Sequence, residues 1–332
     1  MSYTIRFHAH GGPEVLKYEQ VEVGDPGPRE ARVRHTAVGV NYIDTKHRAG
    51  QLNQYRVTLP SGIGMEAAGV VESVGPGVTV VKPGDRVAYA GGTSPTDQLG
   101  AYAEHRIMQA DRLVRLPDAV SDRSAATLML KGLTVQCLFR QVSELRPGQI
   151  ILFHAAAGGV GLIACQWARA LGVTMIGTVG SDEKAALAKE FGCTHSIVYT
   201  RENFVERVKE LTNGRGVDVV YDSIGKDTYP GSLDCLAKRG LFVTFGSASG
   251  PVPPIDVNML AQKGSLYVTR PGITTYAARR EDLCAMADEL FELVIAGKIV
   301  SEPRQVYPLK EASKSHRAIE SRETTGSTVL LP

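Results

Sequence analysis

The stretch Gln149–Gly161, QIILFHAAAGGVG, constrains this chain more than any other. Ile150–Phe153 is a short, uninterrupted apolar run of the kind that becomes a strand buried on both faces, as in a parallel sheet. His154–Gly159 then brings small residues and glycines, and apolar residues resume at helical spacing from Val160 to Leu171. The segment reads as strand, tight turn, helix. Its turn, Ala156-x-Gly158-x-x-Gly161, is the dinucleotide fingerprint with alanine at the first glycine. Gly158 admits the close approach of a pyrophosphate, and Gly161 lets the helix pack on the strand. Ala157, Gly158, Gly159, Val160 and Gly161 thus line an anion site at the positive end of the helix dipole. The alternative is a small-residue turn packed for steric reasons alone. A strand before it and a helix after it favour the nucleotide.

A chain of 332 residues exceeds what one core usually supports, so two domains are expected. With 43% hydrophobic and 22% charged residues, its composition is that of a globular protein. A net charge of +2 with interspersed signs provides no basic stripe, which argues against nucleic acid and anionic membrane as partners. The longest mostly apolar window, Gln149–Ala168, contains His154, Gln166, Trp167 and glycines, and it belongs to the strand-turn-helix unit rather than to a membrane span. The opening MSYTIRFHAHGG has no apolar signal core, so a cytoplasmic location is expected. Cys137, Cys165, Cys193, Cys235 and Cys284 are scattered and odd in number, without a CxxC pair. That pattern fits neither a disulfide framework nor a structural zinc site.

From Tyr3 to about Pro117 the pattern alternates, as in Val21–Val23, Ala31–Val38 and Gly69–Val74, with Gly/Pro turns between the runs. This predicts a β-rich domain, an incomplete barrel. Around Ser124 the texture becomes helical, through Phe139 and the segment after it. After Ile150–Phe153, strands Thr174–Thr178, Ser196–Tyr199, Val217–Asp222, Leu241–Phe245 and Leu266–Thr269 alternate with helices Asp182–Phe191, Phe204–Thr212 and Thr228–Ala237. The expected fold class is α/β, a doubly wound parallel Rossmann sheet of about six strands. An amphipathic helix near Glu281–Ala296 and strands at Arg304–Tyr307 and Thr328–Leu331 are too few to fold alone and should return to the first domain. The expected division is 1–124 with 272–332 for the β-rich domain, and 125–271 for the dinucleotide-binding domain.

HGGPEVL (His10–Leu16), GVNYIDTKHR (Gly39–Arg48), GMEAAGVV (Gly64–Val71), LKGLTV (Leu130–Val135), HAAAGGVG (His154–Gly161) and KGSLYVTRP (Lys263–Pro271) occur in one order along the chain. In these segments the chain resembles the zinc-independent NADPH:quinone oxidoreductases, the zeta-crystallin-like branch of the medium-chain dehydrogenase/reductase superfamily. The resemblance implies a GroES-like first domain. It also puts Asn41 where zinc-dependent members have a cysteine ligand facing the nicotinamide, and Met65 where they have a histidine. Amide and thioether are poor zinc ligands, so alkoxide stabilisation by a Lewis acid is not expected, and an acceptor reduced without metal is.

An acid on the adenosine ribose is expected about twenty residues after the fingerprint, which points to Asp182. Its place in the first turn of the next helix argues against that role. The strand end instead has Gly180, Ser181 and Lys184, which offer a hydroxyl and a cation to a 2′-phosphate and favour NADPH. Tyr199 either flanks the adenosine or caps the sheet. The loops Ser223-Ile224 and Phe245-Gly246-Ser247 follow strand ends bordering the crevice where strand order reverses, and cofactor contact is expected there. By resemblance, Lys131 and Thr134 lie beside the nicotinamide ribose and carboxamide, Arg270 and Arg322 contact cofactor, and Asn41 is the catalytic amide. Relatives carry tyrosines at the positions of Lys46 and Leu52. Here Tyr42 and Tyr55 could take their place in holding the substrate. Asp44 and Glu66 are read as a cap and a buried structural acid.

The expectation is an NADPH-dependent quinone reductase, with reduction of α,β-unsaturated carbonyls as one alternative. A nucleotide-binding structural or RNA-binding role of zeta-crystallin type is the other. A homodimer is expected through the edge strand Leu266–Thr269.

Overall fold

The computed structural model describes residues 1–51, 57–91 and 99–332, which form two compact units: Met1–Leu133 with Tyr276–Pro332, and Thr134–Thr275. In the first, β1 (Ser2–Phe7) pairs antiparallel with β2 (Lys17–Val21). Apolar alternation continues to Val23, yet β2 stops at Val21 because its partner begins at Ser2. β3 (Glu30–Val40) leads through Asn41 into α1 (Tyr42–Ala49), followed by β4 (Ser61–Gly62), β5 (Glu66–Val74), β6 (Arg86–Ala90), β7 (His105–Gln109), β8 (Val114–Arg115) and α2 (Asp122–Gln136). Helix α2 passes without a break into a π-helical turn, Cys137–Val142.

In the second unit, β9 (Ile150–His154), α3 (Gly159–Ala170), β10 (Thr174–Val179), α4 (Asp182–Glu190), β11 (His195–Val198), α5 (Phe204–Leu211), β12 (Val217–Asp222), α6 (Tyr229–Asp234), β13 (Leu236–Thr244), α7 (Val257–Gln262) and β14 (Tyr267–Thr269) alternate. The strands pair in parallel in the order β11-β10-β9-β12-β13-β14, six among the described residues. This is the doubly wound order, reversing beside β9 where the fingerprint turn emerges. Leu152, Ile176, Val220 and Phe242 are buried at its centre. The helix expected over Thr228–Ala237 is shorter than its apolar pattern, because Leu236 pairs with Val217 and is drawn into β13, which ends at Thr244 rather than Phe245.

After α8 (Ile273–Tyr276) and α9 (Arg280–Ile295), the chain forms β15 (Pro303–Pro308), α10 (Ala312–Glu320) and β16 (Ser327–Leu331). β16 runs antiparallel to β3, Thr328 facing Val40, and extends the first unit's sheet in the order β15-β16-β3-β5-β6-β8, with β7 also on β3. The C-terminal strands thus return to the first unit. Helices α1 and α10 were not foreseen: α1 buries only polar residues, Asp44, Thr45, His47 and Arg48, while α10 is 9 residues long and buries Ala312, Ser315 and His316. The inner face of α1 shows no apolar period to detect.

Candidate active site

The first unit builds a buried polar site where β3 ends and α1 begins. Asn41 is the N-cap of α1 and is 6% exposed. Glu66, the first residue of β5, lies opposite Gly39 and is fully buried. Its carboxylate accepts from Asn41 Nδ2 at 2.9 Å, Lys131 Nζ at 2.5 Å and the Leu130 backbone N–H at 2.6 Å. The last two donors come from α2. A side chain at Gly39 would collide with Glu66 Oε1 and Ala126 O, so the bare backbone there lets acid and helix come together. A buried carboxylate is tolerated when paired and fully hydrogen-bonded, as this one is. Because it only accepts, it turns the Asn41 NH2 group toward itself and leaves that nitrogen one further N–H to donate.

A second acid holds Asn41 from behind. Asp44, also fully buried, accepts from the Asn41 backbone N–H at 2.8 Å and from Tyr102 Oη at 2.9 Å, both at Oδ2. Burial pushes this carboxyl up to about 7, despite those donors and the Lys131 charge. Tyr102 Oη meets His316 Nε2 at 3.1 Å, and His316 Nδ1 meets Arg48 Nη1 at 3.0 Å. Arg48 ends the series in an ion pair with Glu320 at 2.5 Å. Nearby, the Lys46 ammonium lies 5.4 Å from the Tyr42 ring centroid and donates to Gln51 Oε1. Leu52 and Tyr55 lie outside the described residues. Met65 is buried, and among the described residues no group of three or more His, Cys, Asp or Glu is placed to hold a metal ion.

The second unit gathers its predicted residues at the carboxyl ends of the parallel strands. Gly158 caps α3 in extended backbone, with no capping side chain and no acid in the first turn, so the helix dipole there is open to an anion. A Cβ on Gly161 would sit 2.5 Å from Ala156 O, which explains the glycine by helix–turn packing. Ala157, Gly159 and Val160 complete the turn and the first helical residues. At the end of β10, Ser181 caps α4, its Oγ accepting from the Lys184 backbone N–H at 3.3 Å. The Ser181 hydroxyl also holds the Glu183 carboxyl below its ordinary range. Tyr199 is half exposed, and a Cβ on Gly180 would lie 3.0 Å from its hydroxyl. Asp182 is clamped by Arg201, at 2.6 and 2.5 Å.

On the other side of β9, Asp222 ends β12 fully buried. Its Oδ1 accepts from the N–H groups of Ile224 and Gly225, and its Oδ2 from Thr228 and Ser232. The Ser223–Gly225 turn is bonded in turn to the loop after β13, through Ala248 N to Ser223 O and Ser249 N to Ile224 O. Phe245, Gly246 and Ser247 lie in that loop, and Arg270 donates to Thr244 Oγ1 at 3.2 Å and to Gly246 O at 3.3 Å. Ser223, Ile224, Phe245, Gly246, Ser247 and Arg270 thus form one laced rim. The Ser232 hydroxyl reaches His154 Nε2 at 3.0 Å, and desolvation keeps this histidine neutral by lowering its pKa.

Residues 27–118 match the alcohol dehydrogenase GroES-like domain, and residues 159–291 match the zinc-binding dehydrogenase family. The chain is 55% identical to a quinone oxidoreductase of Pseudomonas aeruginosa over the whole of both chains. It is 46% identical to a 2-haloacrylate reductase of a Burkholderia species, over 98% of this chain and 97% of that one. The crystal structure of Escherichia coli quinone oxidoreductase complexed with NADPH matches it at 49% identity with a TM-score of 0.95, covering 99% of this chain and all of that one. The chain belongs to the quinone oxidoreductase family. Within the medium-chain dehydrogenase/reductase superfamily it is an oxidoreductase with a GroES-like unit and a Rossmann unit.

For this family member, the fold brings Asn41 and Lys131 to one carboxylate, while Thr134 lies one helical turn further along α2 and half buried. Arg322 belongs to the first unit, where its charge acts on Tyr42. Four residues escaped the sequence reading as functional: Glu66 as a hub, Asp44, Asp222 and Arg201. The signals were available for two of them. An acid three residues after an Asn is a helix-start pattern, and Asp222 is an acid at the end of an apolar strand.

Proposed function

We propose that this quinone oxidoreductase uses NADPH to reduce quinones, with no metal ion taking part. The observation that carries this reading is the Asn41 amide, held by a buried carboxylate that is itself neutralised by Lys131. The nicotinamide supplies the hydride. Asn41 donates its remaining N–H to the acceptor oxygen where negative charge develops, and its rigid mounting limits reorganisation during the step. The open N-terminus of α3 takes the pyrophosphate. Gly180, Ser181 and Lys184 take the 2′-phosphate, while Arg201 offsets the charge of Asp182 in the first turn of α4. Ser223, Ile224, Phe245–Ser247, Arg270, Thr134 and Arg322 hold the remainder of the cofactor, and Tyr42 and Lys46 contact the acceptor.

The likeness to a 2-haloacrylate reductase favours a second reading, reduction of an activated C=C bond with the same cofactor and amide. Steady-state NADPH oxidation with a benzoquinone, an α,β-unsaturated acid and a simple enone distinguishes the two. The first reading expects the highest kcat/KM with the quinone, and a clear preference for the unsaturated acid overturns it. For the assembly, we propose a homodimer through β14, which stands at the edge of the sheet with Tyr267 57% exposed. A reducing, cytoplasmic setting fits the five free cysteines, of which Cys137, Cys165, Cys193 and Cys235 are buried.

A further inference from the structure

The hydrogen bonds behind Asn41 have only one possible direction. A guanidinium cannot accept, so Arg48 donates to His316 Nδ1. The imidazole therefore carries its proton on Nε2 and gives it to Tyr102 Oη, and the phenol in turn donates to Asp44 Oδ2. Three donors in series thus run from the Arg48 cation on α1, through His316 on α10 and Tyr102, to one buried carboxyl. The Asn41 N–H lands on the same oxygen, while the other oxygen, Oδ1, is buried with no hydrogen-bond partner among the described residues. A carboxyl with all of its donors on one oxygen suits the neutral acid, with its proton on the other. The donor series favours the anion. Two opposed influences therefore meet at a group whose backbone contact is Asn41 itself.

We propose that Asp44 is a positioning residue for acceptor reduction, its proton state setting the electrostatic field at Asn41, with Arg48, His316 and Tyr102 tuning where that proton is lost. This rests on the reading that Asn41 holds the acceptor oxygen. Hydride addition makes that oxygen negative, and one proton from water completes the hydroquinone. Neutral Asp44 leaves Glu66, already paired with Lys131, as the other acid bonded to Asn41. Ionised Asp44 adds a second negative charge close by and opposes the step. The titratable groups acting on Asp44 are Tyr102, Lys131 on α2 and Glu66 on β5, and beyond Tyr102 the series continues through His316 to Arg48 and Glu320, with His47 nearby in sequence on α1. Burial lowers His47 to about 4 and His316 to about 3, so neither histidine titrates near neutrality.

The test follows kcat/KM for a neutral quinone at saturating NADPH from about pH 5 to about pH 9. Alongside it, the infrared carboxyl band of the ligand-free protein is titrated. Wild type should lose on the order of 10- to 100-fold in kcat/KM as the pH rises through neutrality, with the protonated-carboxyl band fading over the same interval. Asp44→Asn should abolish both the fall and the band. Tyr102→Phe removes a donor to the anion and should move both upward by about one to two pH units, with KM for NADPH unmoved. If Asp44→Asn does not fold, Tyr102→Phe and the infrared titration decide alone. Unchanged profiles in the variants, alongside an Asn41→Ala that lowers turnover, overturn this proposal and leave the reading of Asn41 standing. Unchanged turnover in Asn41→Ala overturns both.

Discussion

Lys184 and Lys131 are both half-hidden or hidden cations of the kind that sequence alone cannot rank, and their surroundings give them different tasks. Lys184 stands in the first turn of α4 beside Ser181, where a charged hydrogen bond to a 2′-phosphate is worth about 1.5–3 kcal/mol. Lys184→Ala should raise KM for NADPH by about 10- to 100-fold and barely alter that for NADH. Equal losses with the two cofactors would remove it from the phosphate site. Lys131 is buried against Glu66, so Lys131→Met should leave an unpaired buried carboxylate and cost about 3–5 kcal/mol. Adding Glu66→Gln should recover a large part of that loss in a urea titration. A double variant no more stable than Lys131→Met would mean that the ion pair is not what the helix needs.

Among elements, β14 and α1 show how little of an element's role lies in its own pattern. Among the described residues strand β14 pairs with β13 alone, Phe242 facing Val268, and its outer edge has no partner strand. Tyr267→Lys places charge on that edge while sparing the inward Val268, and it should lower the mass seen by light scattering from dimer toward monomer. A wild-type chain that is already monomeric at micromolar concentration would refute the β14 interface. Helix α1, by contrast, was invisible to hydrophobic periodicity because its inner face is an acid, a histidine and an arginine. Of those groups, Arg48 meets His316 and Glu320 only after α10 is folded against it, from residues more than 260 positions away.

Across the whole molecule, buried histidines make stability depend on pH. Burial lowers His35 and His316 to about 3 and His47 to about 4, all in the first unit. Unfolded, they take up protons as the pH falls through their ordinary value near 6.5; folded, they stay neutral until near 3–4, so stability declines across that window. Asp44 works in the opposite sense: its raised folded value lets the native state bind a proton from about pH 7 downward. In the first unit, three histidines against one aspartate leave a net two protons, or about 3 kcal/mol lost per pH unit in the steepest part, and His154 in the second unit acts in the same direction. Urea midpoints measured between about pH 7 and about pH 4 should fall accordingly, and His316→Gln should lessen the slope. A flat midpoint would show that these rings charge in place. The sequence by itself determined the alternating strands and helices of residues 150–269 and the glycine turn, because periodicity and backbone sterics act over a few neighbouring residues. It also showed the amide at Asn41. Only the tertiary structure decided that Glu66 would bind Asn41 and Lys131, that Gly39 must be bare for it, and that Arg48, His316 and Tyr102 would converge on Asp44. Each of those is a polar contact between distant segments, and its strength comes from burial that no local stretch of the chain possesses.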